Sequence, residues 1–269
     1  MTLVYRFPVH NQSALKSLLT RLRPVALPIA TAIAGLILWE FGARVLAVRE
    51  VILPTPSGIW ETLNRGFLLI MRHAVPTAKE AFLALAVACS VGVSSALLLS
   101  YSRLLRECVL PNLIALQFVP KVALAPLFII WFGLGSEARL LFAVFIAFFP
   151  VMISAAAGLS NTPSEYIRLS RALNATKFQV FKEFRLPAAM PFIFAGMKIA
   201  STMTMIGVVV GEFITAKEGL GYLILFASSR AETSLIFACL IVLCVIGLSM
   251  YGIVLAAEFV IVRRFKIDR

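Results

Sequence analysis

Six stretches of this 269-residue chain are each apolar and long enough to cross a lipid bilayer. That pattern constrains the fold more than any motif does. A crossing helix needs about 20 mostly apolar residues. The candidate spans lie near 24–48, 77–100, 109–132, 138–158, 188–214 and 234–262. Inside a bilayer every backbone polar group must find its partner locally, so each run is expected to be helical. Composition agrees: 61% of residues are apolar and 14% charged, where a soluble domain is about a quarter charged. One core of this length could not bury so much apolar side chain. The expected class is an all-α membrane protein of about six transmembrane helices. A soluble enzyme, a secreted disulfide scaffold and a disordered chain are all disfavoured.

Lys and Arg number 25 against 13 Asp and Glu, a formal charge of +12. In an apolar chain such a surplus marks cytoplasmic loops rather than a nucleic-acid partner. Six spans put both ends on one side. With that side cytoplasmic, 15 of the 25 basic residues fall in cytoplasmic segments and eight on the opposite side. Lys121 and Lys198 remain inside spans. The organisation expected is a cytoplasmic segment 1–23, one membrane unit 24–262 and a cytoplasmic tail 263–269. The first run has no small-residue cleavage site after it and reads as an uncleaved helix. Cys89, Cys108, Cys239 and Cys244 form no CxxC pair, and His10 and His73 are the only histidines. No metal or cofactor is expected on this chain.

Two segments outside the spans have their own patterning. Pro54-Thr55-Pro56-Ser57 is an extended turn, followed over 58–71 by Ile59, Trp60, Leu63, Phe67 and Ile70 at helical spacing. This predicts either a helix in the outer interface or an ordinary loop helix. The second, 162–187, reads TPSEYIRLSRALNATKFQVFKEFRLP. Thr162, Pro163 and Glu165 predict a capped helix start, with Tyr166, Leu169, Ala172 and Leu173 on one face. Asn174 tolerates the left-handed turn that ends a helix. Thr176 and Gln179 begin a second helix with Phe178, Phe181 and Phe184 as its apolar face. Two short helices thus meet at a sharp turn, each with an apolar stripe rimmed by charge. The stripes either fold back on the chain's own helix ends or dock on a partner.

The 162–187 segment resembles the cytoplasmic loop of binding-protein-dependent ABC transporter permeases. That motif runs Glu-Ala-Ala, three residues, Gly, about nine more, then apolar-x-Leu-Pro. Arg168, Leu169 and Ser170 stand at Glu-Ala-Ala, Arg171 and Leu173 follow, and Asn174 stands at the glycine. Ala175, Thr176 and Lys177 continue the match, and Phe184-Arg185-Leu186-Pro187 closes it. The family glutamate is Arg168 here. The rest of the chain looks like the nitrate/sulfonate/taurine/bicarbonate branch. The matching pieces are Ile52-Leu53-Pro54-Thr55-Pro56-Ser57, Pro120-Lys121-Val122-Ala123-Leu124-Ala125-Pro126-Leu127, Ile130-Trp131-Phe132-Gly133-Leu134-Gly135, Phe148-Phe149-Pro150, Gly211-Glu212 and Gly219-Leu220-Gly221-Tyr222-Leu223-Ile224.

The resemblance implies a permease subunit of an importer in the bacterial inner membrane. Its implied partners are a second permease copy, two ATPase subunits and an external solute-binding protein. It also implies that Glu165–Pro187 is the element that couples to the ATPase, through Glu165, Arg168, Leu169, Ser170, Arg171, Leu173, Asn174, Ala175, Thr176, Lys177, Leu186 and Pro187. ATP and Mg would be used by that partner. The only Lys-Ser/Thr pair here is Lys16-Ser17, preceded by Ala14-Leu15 without the glycines of a phosphate loop. The solute class implied is a small anion or polar molecule: a sulfonate, nitrate, bicarbonate, aromatic acid or vitamin precursor. Lys121, flanked by Pro120 and Pro126, is either a path residue or a snorkelling or ion-paired cation. Glu212 beside Gly211 is either an outer gate residue or a partner for Lys121. Lys198 is expected to snorkel. The rival readings are a secondary transporter driven by an ion gradient and a membrane-embedded enzyme. Each would need more intraspan acids or histidines than this chain carries.

Overall fold

The computed structural model describes residues 12–215 and 217–264. The parts of the terminal segments at 1–11 and 265–269 lie outside the described residues. Eleven α-helices and their connecting turns make up the described fold, with no strand among them. The first, α1 (Gln12–Val45), begins twelve residues before the expected span and crosses with Ala26–Val45. Pro56 then opens α2 (Pro56–Arg65), capped by the Thr55 hydroxyl, which accepts from the Gly58 N–H. The expected 58–71 helix is broken at Gly66, where the chain turns directly into α3 (Phe67–Tyr101). So the second span begins ten residues earlier than its apolar run predicted. It takes Arg72 and His73 into the helix.

The third span is not one rod. α4 (Arg103–Ala115) and α5 (Ala125–Phe132) pair across a break between Phe118 and Lys121, with a bend of 91°. Pro120 explains the break: it has no N–H to give, and it drives Val119 to an extended conformation with ψ of 129°. After Gly133 (φ 84°) comes α6 (Ser136–Ser160). A short foot follows, α7 (Ser164–Ala172) and α8 (Lys177–Val180), joined through a π-helical turn at Phe181–Arg185 to α9 (Leu186–Thr215). α10 (Leu220–Ser229) lies between the fifth and sixth expected spans, where no helix was expected, and α11 (Thr233–Arg264) is the last span.

α3, α6 and α9 form the centre, and small residues let them meet. A Cβ built on Gly196 would lie 2.8 Å from the Pro150 carbonyl, and one on Gly207 would lie 2.7 Å from Ala143 Cα. Gly92 meets Val151 as closely, and Gly158 meets Phe192. Gly196, Ala200, Thr204, Gly207 and Gly211 make one buried stripe on α9. Small residues at four-residue spacing are how helices pack in lipid, where apolar side chains gain nothing by leaving their solvent.

Pairings along the helices fix their directions. The Arg139 guanidinium at the start of α6 meets Glu80 early in α3, and Arg106 at the start of α4 donates to Ser160 at the end of α6. The bent pair between them therefore makes one full pass. α9 runs back along α6, and α11 runs back along α9. The bundle has six passes, and the described chain ends, near Gln12 and Arg264, lie at the same end. α1 is the outlier. It touches the rest through Glu40, which accepts from the Ser57 N–H (3.0 Å) and hydroxyl (2.8 Å), and through Trp39 against Phe237.

Candidate functional site

The foot at α7 and α8 sits beyond the apolar part of the bundle, at the end shared by the chain termini. Its turn has the predicted chemistry. Asn174 has φ of 52°, and the Ala175 N–H donates to the Ser170 carbonyl at 2.9 Å, closing the helix end. Thr176 caps α8 in a full capping box: its Oγ1 accepts from the Gln179 N–H, and its own N–H donates to Gln179 Oε1 at 2.8 Å. One expectation fails. α7 begins at Ser164, and the Thr162 hydroxyl is buried without a hydrogen-bond partner instead of capping it.

The apolar stripe of the foot is folded away only in part: Phe181 packs on the bundle core and Phe184 is half-buried, while the rest stands exposed. Leu173 is 66% exposed and Phe178 71%, with Tyr166 and Leu169 also exposed. Ser170 is the buried anchor of α7, and Tyr166 rests against Phe184 with ring centroids 5.8 Å apart. Glu165, Arg168 and Lys177 are exposed around the stripe, and Leu186 and Pro187 are half-buried where the foot enters α9. Of Arg171 only the backbone, at the penultimate position of α7, is described. The π turn carries the foot into α9 without a break, so Lys177–Thr215 is one 39-residue helical element. The second foot helix and a membrane span thus form a single helical element.

A second site is the bend in the broken span. Lys121 opens the short turn after the break, and its ammonium lies 5.2 Å from the centroid of the Phe149 ring. Phe149 is near the middle of α6, so Lys121 stands at mid-height of the bundle, far from either end toward which it could snorkel. Among the described residues no carboxylate pairs with it. Pro120 beside it is exposed. A half-buried cation at a helix break, held over an aromatic face, is a place where a conduit can meet an anion.

Glu212 is elsewhere. It is 2% exposed near the opposite end from the foot, and it does not reach Lys121. Its Oε1 accepts from the Thr77 hydroxyl (2.6 Å) and its Oε2 from the Gly221 N–H (2.6 Å). Gly211, one residue before, packs on Arg139. Lys198 is a second correction: its Nζ is 2.6 Å from Glu258 Oε2 on α11, an ion pair instead of a snorkelling tail. Neither contact was legible in the sequence, because the partners stand 135 and 60 residues apart. The only hint was that each acid or base interrupts an apolar run.

Six passes around a small-residue core, an external foot and a cation at a helix break mark a polytopic membrane transport subunit. Sequence comparison gives the family. Residues 88–263 match the family of the binding-protein-dependent transport system inner membrane component, and the chain belongs to it. It is an ABC-importer permease, a transport subunit and not an enzyme. The ion-gradient and membrane-enzyme readings fall with that.

A probable ABC transporter permease protein of Haemophilus influenzae is 36% identical over 80% of this chain and 88% of its own length. The riboflavin transport system permease protein RibX of Chloroflexus aurantiacus is 31% identical over 89% of this chain and 90% of its own. Among solved structures, the MetNI methionine ABC transporter in an inward-facing conformation shares the fold, with a TM-score of 0.59 at 20% identity. That match covers 76% of this chain and 99% of the other.

Proposed function

We propose that two copies of this chain form the path of an ATP-driven importer for a small anionic or polar solute, with residues 24–262 acting as one permease unit. Two ATPase subunits, which use ATP and Mg, drive it from the cytoplasm, and an external binding protein delivers the solute. The foot end faces the cytoplasm of a bacterial inner membrane, together with both chain termini. The surplus of basic residues at that end supports this orientation.

The observation that carries the reading is the exposed stripe of Tyr166, Leu169, Leu173 and Phe178 on a rigid helix–turn–helix outside the apolar slab. Apolar side chains in water at the tip of a built turn have a partner to meet. The foot lies in a groove of the ATPase, with Glu165, Arg168 and Lys177 around its rim. Closure of the ATPase moves it as a rigid body, and α9 carries that motion into the membrane. Lys121 at the bend, with Pro120, meets the solute on its way. A sulfonate, nitrate, bicarbonate, aromatic acid or vitamin precursor each offers the negative or polar group an ammonium would hold.

The test is association. Leu173→Asp and Phe178→Asp change exposed positions, so the permease is expected to fold with undiminished yield. Capture of the co-expressed ATPase on the tagged permease should fall at least about tenfold, as for loss of a buried hot-spot side chain. ATPase capture equal to that of the parent chain would defeat the docking reading.

A further inference from the structure

The amino end of α10 is held by side chains from two other helices. At a helix start the first N–H groups have no partner within the helix. Here three successive ones are taken: Gly219 N–H by His73 Nδ1 (3.1 Å), Leu220 N–H by Thr77 Oγ1 (2.8 Å) and Gly221 N–H by Glu212 Oε2 (2.6 Å). The Thr77 hydroxyl closes the ring by donating to Glu212 Oε1. The His73 ring also stacks on Tyr222 of α10. Two glycines make the seat. A Cβ on Gly221 would stand 2.8 Å from Glu212 Oε2, and Gly219 has φ of 110°, a conformation that side chains resist.

Two features make this a releasable contact. Glu212 is buried on neutral donors alone: no ion pair to it exists among the described residues, and Arg139 nearby is engaged by Glu80 at 3.3 Å. A carboxylate so placed has lost its hydration without gaining a counter-ion, and regains hydration on opening. The closed arrangement is therefore less favoured over an open one than an apolar seam would be. Glu212 also lies on the same helical element, Lys177–Thr215, as α8 of the foot. At 1.5 Å per residue that rod is about 58 Å long, so displacement of one end reaches the other.

We propose that His73, Thr77 and Glu212 form a latch at the outer end of the permease. It pins α10 to α3 and α9, and it is freed when the ATPase shifts α9 through the foot. The proposal rests on the reading of the foot as the ATPase dock. The three are positioning residues, since they hold a helix and do not touch the solute.

The experiment is backbone hydrogen exchange on the complete transporter, with its ATPase subunits, in lipid nanodiscs, compared without nucleotide and trapped with ATP and vanadate. The expected result is protection of the 219–221 amides without nucleotide, and exchange at least about tenfold faster in the trapped state. Thr77→Val, nearly the same shape, should bring the faster exchange already without nucleotide and raise ATP hydrolysis in the absence of solute. Thr77→Ser should restore both. A foot whose exchange responds to nucleotide while 219–221 stays protected overturns the latch and spares the docking reading. So does Thr77→Val with parental exchange and hydrolysis. If neither foot nor 219–221 responds, the docking reading fails and the latch falls with it.

Discussion

Lys198 and Glu258 face each other between α9 and α11, one to two turns from the foot end of the apolar runs, with Nζ 2.6 Å from Oε2. Neither charge is tolerable there alone. Removing one partner of a buried pair costs about 3–5 kcal/mol, whereas replacing both with apolar residues is close to neutral. Lys198→Met is therefore expected to lower the Tm of the detergent-solubilised permease clearly. Lys198→Met with Glu258→Leu should return it near the parent value. Thermal unfolding followed by size-exclusion fluorescence reads both, and a single variant as stable as the parent would remove the pair from the account of stability. The pair was invisible in the sequence for a plain reason. A lysine about two turns into a span has the same local signature whether it snorkels or meets an acid brought from 60 residues away.

At the scale of elements, what could be read in advance was what is decided locally. The foot turn is the clearest case. Its left-handed residue, its capping box and its Leu-Pro exit are contacts within four or five residues, and the sequence carries them openly. The position of Asn174 yields a sharp expectation. Its φ of 52° suits Gly and Asn and is hostile to a β-branched residue. Asn174→Gly should keep ATPase stimulation, and Asn174→Val should lower it about tenfold or more as the foot loses its shape. Equal activity in the two variants would mean that the angle between α7 and α8 is immaterial. Elements whose limits depend on distant packing were misjudged. Residues 67–76 were divided between a helix expected to end at 71 and a span expected from 77, because Arg72 and His73 interrupt the apolar pattern. They are helical because Ile70 and Ala74 bury into the bundle, and the His73 ring packs against Tyr222 of α10. α10 escaped notice because a ten-residue apolar helix is too short to span. Pro120 announced a loosened helix, but the 91° turn follows from how α4 and α5 lie on their neighbours.

The whole molecule has two unlike sides. α3, α6, α9 and α11 pack on one another, while the bent limb leans on α6 and α9 with much of its surface bare: Phe118 is 85% exposed, Ile130 75% and Trp131 64%. On the far side α1 is bare too, with Leu38 73% exposed. Only one of these sides holds the cation at a helix break, and in a two-copy path that side turns inward. Two single-cysteine chains, Ile130→Cys and Leu38→Cys, built after replacing the four native cysteines, separate the sides. Oxidation in membranes should link two copies through Ile130→Cys and not through Leu38→Cys, read on a non-reducing gel. The reverse pattern would place α1 at the centre of the assembly. The number of passes was legible from hydropathy, since each run must satisfy its own backbone in lipid. Which passes form the centre was not, because glycine and alanine stripes reveal themselves only when facing helices are known.

The π-helical turn at Phe181–Arg185, where the Leu186 N–H reaches back to the Phe181 carbonyl, inserts one residue beyond the regular helical count. It works as a phase shifter. Everything before it is rotated by about 100° relative to everything after, the angle one residue subtends on a helix. The side of the foot proposed to meet the ATPase and the side of the span that meets its neighbours can therefore be chosen independently within one helical element. Trimming a single residue from this segment would leave every contact surface chemically intact and turn the foot about a quarter-turn away from its present bearing on the span.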